Sequence, residues 1–333
     1  MGFYKGKNVL VTGGTGMIGR PLVELLLAEG ARVRVASMDD PGRCPAGAEF
    51  MKANLIHWEE CQKVVKDMDF VFNVVGIKGS VGIGVKRSAS FMVPHLLFNT
   101  HMMEAARQAK VERYLYTSSI GVYPPAEIFY EDDAFKLPPD NSDRFAAYAK
   151  RVGELQAEAY GIEFGWDKIA IVRPANVYGP GDNFDPKTAM VVPALMARVV
   201  GGENPLVVWG DGSAVRDLIY SRDCAKGMML AMEKGACLKA INLGSGKGYS
   251  IKQVVETLCS LFKPSPTVQW DTARATGGKI RLMDMRRAKE LIGFVPETSL
   301  EQGLRETLDW YLANKDKADK RYNVFHQKNY MEK

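Results

Sequence analysis

Three glycines give this chain its first piece of chemistry. Gly13, Gly16 and Gly19 stand at a GxxGxxG spacing in "VTGGTGMIGR", after a short apolar run and at the head of a stretch with helical spacing. Glycine permits a tight turn and close approach of backbone to a pyrophosphate, and a helix N-terminus adds free N–H groups and a positive dipole end. The strand before and the helix after turn the triplet from a plain loop into a dinucleotide-binding signature. Thr15, Met17 and Ile18 lie in the same loop and join the glycines as cofactor-binding candidates. An acidic residue at the end of the second strand would hold the adenosine ribose. "VRVASMDDPGR" instead puts Ser37 there, with Asp39 two residues later and Arg43 close by. Ser37 with Arg43 tolerates a 2′-phosphate, whereas Asp39 suits an unphosphorylated ribose. The reading is NAD or NADP, with a lean to NADP.

Other reactive residue types are present without forming sets. The cysteines (Cys44, Cys61, Cys224, Cys237, Cys259) are scattered, odd in number and lack a CxxC pair, which fits free thiols in a reducing compartment and no zinc site. His57, in "NLIHWEE", reads as a loop residue, and His326 falls in the tail. His95 and His101 share a helix at a spacing that aligns their faces poorly, so no metal is expected. The 333 residues are 46% hydrophobic and 25% charged, with a net charge of +5. That is ordinary for a soluble protein, and no basic stripe interleaved with aromatics suggests nucleic acid. No apolar run approaches the roughly 20 residues that span a bilayer, and "GFYKGKNVLVTGG" after Met1 has no signal-peptide character. The expectation is a cytoplasmic protein. The basic tail from Asn314 reads as a solvated end.

The elements that must position these groups alternate. "NVLVTGG", "ARVRVAS", "FVFNVVG", "RYLYTSS" and "KIAIVRP" read as strands. Between them "RPLVELLLAEG", "HLLFNTHMMEAARQAK" and "RFAAYAKRVGELQAEAYG" read as helices, the arrangement of a doubly wound parallel α/β sheet. Residues 1–175 are assigned to this Rossmann domain. Residues 176–333 are assigned mainly to a smaller, interleaved α/β lobe, with a strand at 238–245 returning to the main sheet. "ANVYGPGDNFDP" reads as a loop, and "GIKGSVGIG", residues 76–84, as a glycine-rich turn that could close over a ligand.

With its glycine triplet, "TSSIGVY", a KxxxE helix and "RPANVYGPGDN", the chain resembles the extended short-chain dehydrogenase/reductases. That family comprises nucleotide-sugar epimerases, dehydratases and reductases. "NVYGPGDNF", "VVPALMARVV" and "VVWGDGSAVRD" are most similar to the GDP-fucose synthase and GDP-mannose epimerase branch. The resemblance implies NAD(P) in the first lobe and a nucleotide-diphosphate sugar, GDP-linked by this branch, in the cleft. Asn176, Arg198, Trp209 and Arg216 would face the substrate, and guanidinium groups match phosphate geometry. Asn54, in "KANLI", takes a place near the adenine. Relatives dimerise through the helices that begin near His95 and Phe145, which implies a homodimer.

Catalysis in the family uses a Ser/Thr, a Tyr and a Lys. Ser119, four residues before Tyr123, matches the serine, and Lys150, four before Glu154, matches the lysine. The tyrosine position is Ala146. Residues 146 and 150 share a helix face, and Tyr148 lies about 200° around the axis from each. Three readings follow: an engineered Tyr-to-Ala change, a natural variant that recruits another acid/base, or a copy that only binds. The groups that move protons at C3 and C5 in the fucose synthase branch are replaced by Gly121 and Met190, and the dehydratase Asp-Glu pair by Ile120 and Gly121. Hydride transfer at C4 remains, as epimerisation or as keto reduction or oxidation, with a non-catalytic dinucleotide sensor as the rival.

Overall fold

The structure, a computed structural model, describes residues 2–79, 86–141, 144–185, 188–235, 237–274 and 279–318. Its first half runs β1 (Asn8–Thr12), α1 (Gly19–Ala28), β2 (Arg32–Ser37), β3 (Glu49–Lys52), α2 (Trp58–Val65), β4 (Phe70–Asn73), α3 (Ser88–Gln108), β5 (Arg113–Thr117), β6 (Ile128–Phe129), α4 (Arg144–Phe164) and β7 (Ile169–Pro174). The second half runs β8 (Asn176–Tyr178), α5 (Val191–Val200), β9 (Leu206–Trp209), β10 (Val215–Tyr220), α6 (Ser221–Lys234), β11 (Ala240–Leu243), β12 (Gly248–Ser250), α7 (Ile251–Ser260), β13 (Val268–Asp271), β14 (Ile280–Met283), α8 (Arg286–Ile292) and α9 (Leu300–Ala318).

Seven parallel strands form the main sheet in the order β3-β2-β1-β4-β5-β7-β11. The period of two along each strand loads both faces. Val9, Val11, Phe70 and Phe72 pack with Leu22, Leu26, Met228 and Met232 from α1 and α6 on one side. Leu10, Val71, Tyr114 and Tyr116 meet Val64, Phe98, Met102 and Ala157 from α2, α3 and α4 on the other. Strands buried on both faces read as continuous apolar runs, which is why they were visible in the sequence. A second sheet, β12-β10-β14-β6 with β8 beside β10, and the β9–β13 pair lie with α5, α7 and α9 around a third core.

Several expectations are corrected. The stretch read as a loop after Pro174 contains β8, paired in parallel with β10 from Asn176 to Tyr178. His57 lies in the bend just before α2, a helix too short and polar to stand out in the sequence. The helix expected from His95 starts at Ser88 and carries Pro94 inside it. Burial of Phe91, Pro94, His95 and Phe98 compensates for the hydrogen bond that proline removes. The basic tail starts inside α9, and residues 319–333 lie outside the described residues, as do 80–84 of the glycine-rich turn. Among the described residues no helix is long and apolar enough to cross a membrane.

Candidate active site

The turn between β1 and α1 is built by close backbone contact. Gly16 N donates to Gly13 O at 3.0 Å, and a Cβ on Gly19 would fall 2.2 Å from that same carbonyl oxygen. No side chain larger than hydrogen fits at residue 19 without opening the turn. The result is a backbone cradle at a helix start, which suits a pyrophosphate. Met17 is buried in this loop and Ile18 N-caps α1.

At the end of β2 the expected cofactor residues meet. Thr15 Oγ1 lies 2.8 Å from Ser37 Oγ and donates to Asp39 Oδ2 at 2.7 Å. Asp39 N donates to Ser37 Oγ, and Arg43 Nε stands 4.0 Å from the Asp39 carboxylate. Carboxylate and guanidinium therefore stand together at the end of β2. The donor set fits a nicotinamide dinucleotide: backbone for the pyrophosphate, Ser37, Asp39 and Arg43 for the ribose. Asn54 turns its side-chain oxygen toward Ile56 N at 3.4 Å.

Lys78, overlooked in the sequence, lies beside the β1–α1 turn. Its ammonium donates to Val177 O at 3.0 Å and to both oxygens of buried Asp182 at 3.1 Å, with Met17 Sδ 3.9 Å away. It is a lone lysine in an otherwise uncharged glycine-rich turn after a strand, and that contrast was the available signal.

The helix that carries Lys150 lies hard against β5. A Cβ on Gly153 would come within 2.3 Å of the Tyr116 ring, so glycine sets the approach of α4. Tyr116 donates its hydroxyl proton to Lys150 O at 3.0 Å. Lys150 Nζ, buried, donates to Thr117 O at 2.7 Å, two residues before Ser119. Burial pushes the amine down to about 7, against the pull of the Glu154 carboxylate. Ser119 Oγ is half-buried and accepts from Gly121 N at 3.0 Å, capping a 3-10 turn over Ile120–Val122. Ala146 is half-buried one helical turn before Lys150.

The remaining phenols and imidazoles nearby are committed elsewhere. Tyr148 packs against the Arg151 guanidinium, 5.8 Å from its ring centroid. Tyr123 donates to Asn242 Oδ1 at 2.6 Å and accepts from Arg173 Nη1 at 2.9 Å, and burial pushes its phenol up. His95 is held down to about 3 by burial and by the charge of Lys150. Its Nδ1 lies 2.7 Å from Phe91 O, and Nε2 accepts from Ile77 N at 3.3 Å. His101 packs edge-on against Trp58. Among the described residues no group of three or more His, Cys, Asp or Glu could hold a metal.

Behind the site runs a buried polar network. Arg173 on β7 forks onto Glu154 on α4, Nη2 to Oε2 at 2.6 Å and Nε to Oε1 at 3.0 Å. Ser118 Oγ donates to Glu154, and Arg173 Nη1 also reaches Glu131 O at 2.7 Å. The network ties β5, β7 and α4 together under Ser119 and Lys150.

The four expected substrate residues have different fates. Asn176 Nδ2 donates to Asp217 O at 3.0 Å, pinning β8 to β10. Arg198 forks onto Glu203 and donates to Val207 O at 2.6 Å. Trp209 is 56% exposed under the Arg274 guanidinium at 4.7 Å. Arg216 is half-buried and donates to its neighbour's carbonyl, Val215 O, at 2.8 Å. The adjacent Asp217 is buried with the Ser245 N–H, the Ser245 hydroxyl and Met283 N as donors, so it makes no surface pair with Arg216.

The family model of the NAD dependent epimerase/dehydratase family matches residues 9–244. The chain is 29% identical over 320 residues to dTDP-4-dehydro-6-deoxy-D-allose reductase of Streptomyces bikiniensis, covering 92% of this chain and 97% of that one. It is 32% identical over 232 residues to GDP-L-fucose synthase 1 of Arabidopsis thaliana, covering 68% of this chain and 71% of the relative. The solved structure of epimerase Mth375 from Methanothermobacter thermautotrophicus matches with a TM-score of 0.83 at 27% identity, covering 95% of each chain.

Proposed function

The chain belongs to the NAD-dependent epimerase/dehydratase family, and from that premise we propose that it moves a hydride at C4 of a nucleotide-linked hexose, as a 4-keto reductase. Such relatives make it an NAD(P)-dependent nucleotide-sugar oxidoreductase or epimerase. The observation that carries the finer reading is the buried Lys150 amine, held on Thr117 O two residues before Ser119, where C3/C5 chemistry has no groups. Gly121 is buried backbone, and Met190 is only the N-cap of α5. Guanine is the proposed base, from the likeness to GDP-L-fucose synthase 1, with thymine as the rival.

Keto reduction needs a hydride on carbon and a proton on oxygen. The nicotinamide dinucleotide supplies the hydride when bound. Ser119 Oγ hydrogen-bonds the keto oxygen, and the Lys150 ammonium, on the helix face that also carries Ala146, gives up the proton. Asn176, Trp209 and Arg216 face the nucleotide end. Arg198 joins them only by exchanging Glu203 for a phosphate.

The test uses GDP- and dTDP-linked 4-keto-6-deoxyhexoses with a reduced cofactor deuterated at the transferring position, read by NMR. The expected product carries deuterium at C4 and takes no solvent deuterium at C3 or C5 when the reaction is run in heavy water. Exchange at C3 or C5 would overturn the reading. Binding of both ligands without turnover would favour the sensor.

The same enzyme is proposed to act as a homodimer through α3 and α4, which pack side by side. On α4, Val152, Leu155 and Ile162 point to solvent, and Ile162 is 80% exposed. A stripe at that spacing is an apolar seam in want of a partner. Sedimentation is expected to give a dimer that Leu155→Glu with Ile162→Glu turns into a folded monomer. A monomeric parent at micromolar concentration would sink the idea.

A further inference from the structure

We propose that the Lys78–Asp182 ion pair is a clasp across the dinucleotide path, which must open each time the cofactor enters or leaves. This rests on the cofactor site described above, and its bearing on turnover rests on the keto-reductase reading. The path follows from the order of strands. β1 ends in the glycine turn that suits the pyrophosphate, and β5 ends at Thr117, two residues before Ser119. β4 lies between them in the sheet. A dinucleotide that joins the glycine turn to the Ser119 end must therefore cross the carboxyl end of β4. Lys78 stands there, shortly beyond Asn73, the last residue of that strand.

The backbone on either side of this crossing is held in place. Val75 N donates to Thr12 Oγ1 at 3.1 Å, and Ile77 N donates to His95 Nε2 at 3.3 Å. From that fixed turn the flexible four-carbon stem of Lys78 spans to the loop after β8. There its ammonium meets Val177 O and both oxygens of Asp182. Met17 of the glycine turn lines the same crossing. Its sulfur is 3.9 Å from the ammonium, and a Cβ on Gly181 would lie 3.9 Å from Met17 Cα. Loops from β1, β4 and β8 thus close on one another around a single ion pair.

Electrostatics keeps the clasp shut. The Asp182 side chain is 2% exposed and the Lys78 side chain 35%. Lysine, already in touch with water, is the partner that swings out. Asp182 then keeps Asn183 N as a donor at 2.7 Å but loses its countercharge in a buried setting, which is costly. That cost is the barrier to opening. A clasp that is whole before and after passage acts on the barrier and on neither end state, so entry and release change by the same factor. Keto reduction consumes one reduced dinucleotide per sugar and leaves an oxidised one to be replaced. Every turnover therefore passes through the clasp.

Stopped-flow binding of NADPH, and of NADH in parallel, to the full chain without sugar tests the clasp through nucleotide fluorescence. Asp182→Asn and Lys78→Met are each expected to raise the association and dissociation rate constants together, by about tenfold or more, the scale of a charge-assisted hydrogen bond. The equilibrium constant is expected to stay within about threefold of the parent, well under that scale. Lys78→Met combined with Asp182→Asn removes both charges and serves where a single change leaves a buried charge too costly for folding. Its rate constants are expected to rise in the same way. Rate constants within about twofold of the parent in every folded variant, a negligible change in barrier, would overturn the clasp. The keto-reductase reading would survive that result, because it stands or falls on deuterium at C4. A weaker equilibrium constant in Lys78→Met with a tighter one in Asp182→Asn would overturn the clasp too, because the lysine would then serve the cofactor phosphates directly. A parent that takes up neither nucleotide would remove the cofactor site and the clasp together.

Discussion

Ala146→Tyr raises turnover of the 4-keto sugar nucleotide by about 10²–10⁴-fold, the usual contribution of a positioned general acid. Residues 146 and 150 are one helical turn apart on α4, so a phenol at 146 projects on the same face as the Lys150 amine. The described phenols nearby do not take the place. Tyr148 is turned to Arg151, Tyr123 is locked between Asn242 and Arg173, and Tyr116 donates to Lys150 O. The pH profile changes with the rate. On the proposed mechanism the parent's proton comes from Lys150, whose ammonium is lost as pH rises through about 7. Reduction by the parent therefore slows above neutrality. With tyrosine installed, the donor is a phenol of ordinary value near 10, and the plateau extends into the alkaline range. Stopped-flow oxidation of NADPH across pH 6–9, a range of about three units chosen to bracket that value, reads both effects. A rate that does not rise, with the profile unchanged, would mean that position 146 plays no part in proton transfer.

Glu154→Ala costs about 3–5 kcal/mol of stability, the range for stripping one partner from a buried ion pair. Both side chains are nearly inaccessible, at 5% for Glu154 and 3% for Arg173. Without the carboxylate, the Arg173 guanidinium keeps Tyr123 and Glu131 O but loses its only countercharge on α4. Ser118 loses its acceptor as well. Replacing both partners, Glu154→Leu with Arg173→Met, is expected to recover most of the loss, because the uncompensated charge goes with them. Urea unfolding of the parent and the two variants measures this. A single-variant loss under about 1 kcal/mol would place the pair among weak surface bridges. Since the network underlies Ser119 and Lys150, Glu154→Ala also loosens the site at temperatures where the fold survives.

What the sequence alone determined was local. The parallel strands were legible because burial on both faces leaves uninterrupted apolar runs, as in β1 and β7. The phosphate turn was legible because its steric demand falls on Gly13, Gly16 and Gly19 within seven consecutive residues. Position 146 was legible as a gap because helix period relates it to Lys150 without tertiary information.

Tertiary structure decided what depends on distant partners. Short polar elements such as α2 and β8 gain their stability from neighbours far along the chain, so local pattern did not announce them. Arg198 matched a substrate position in the sequence, but the fold offers it Glu203 five residues on. Lys78 and Asp182 likewise meet across 104 residues of chain. A side chain's chemistry is written in its type, but its charge environment is set by whichever strands and loops the fold brings within a few ångströms.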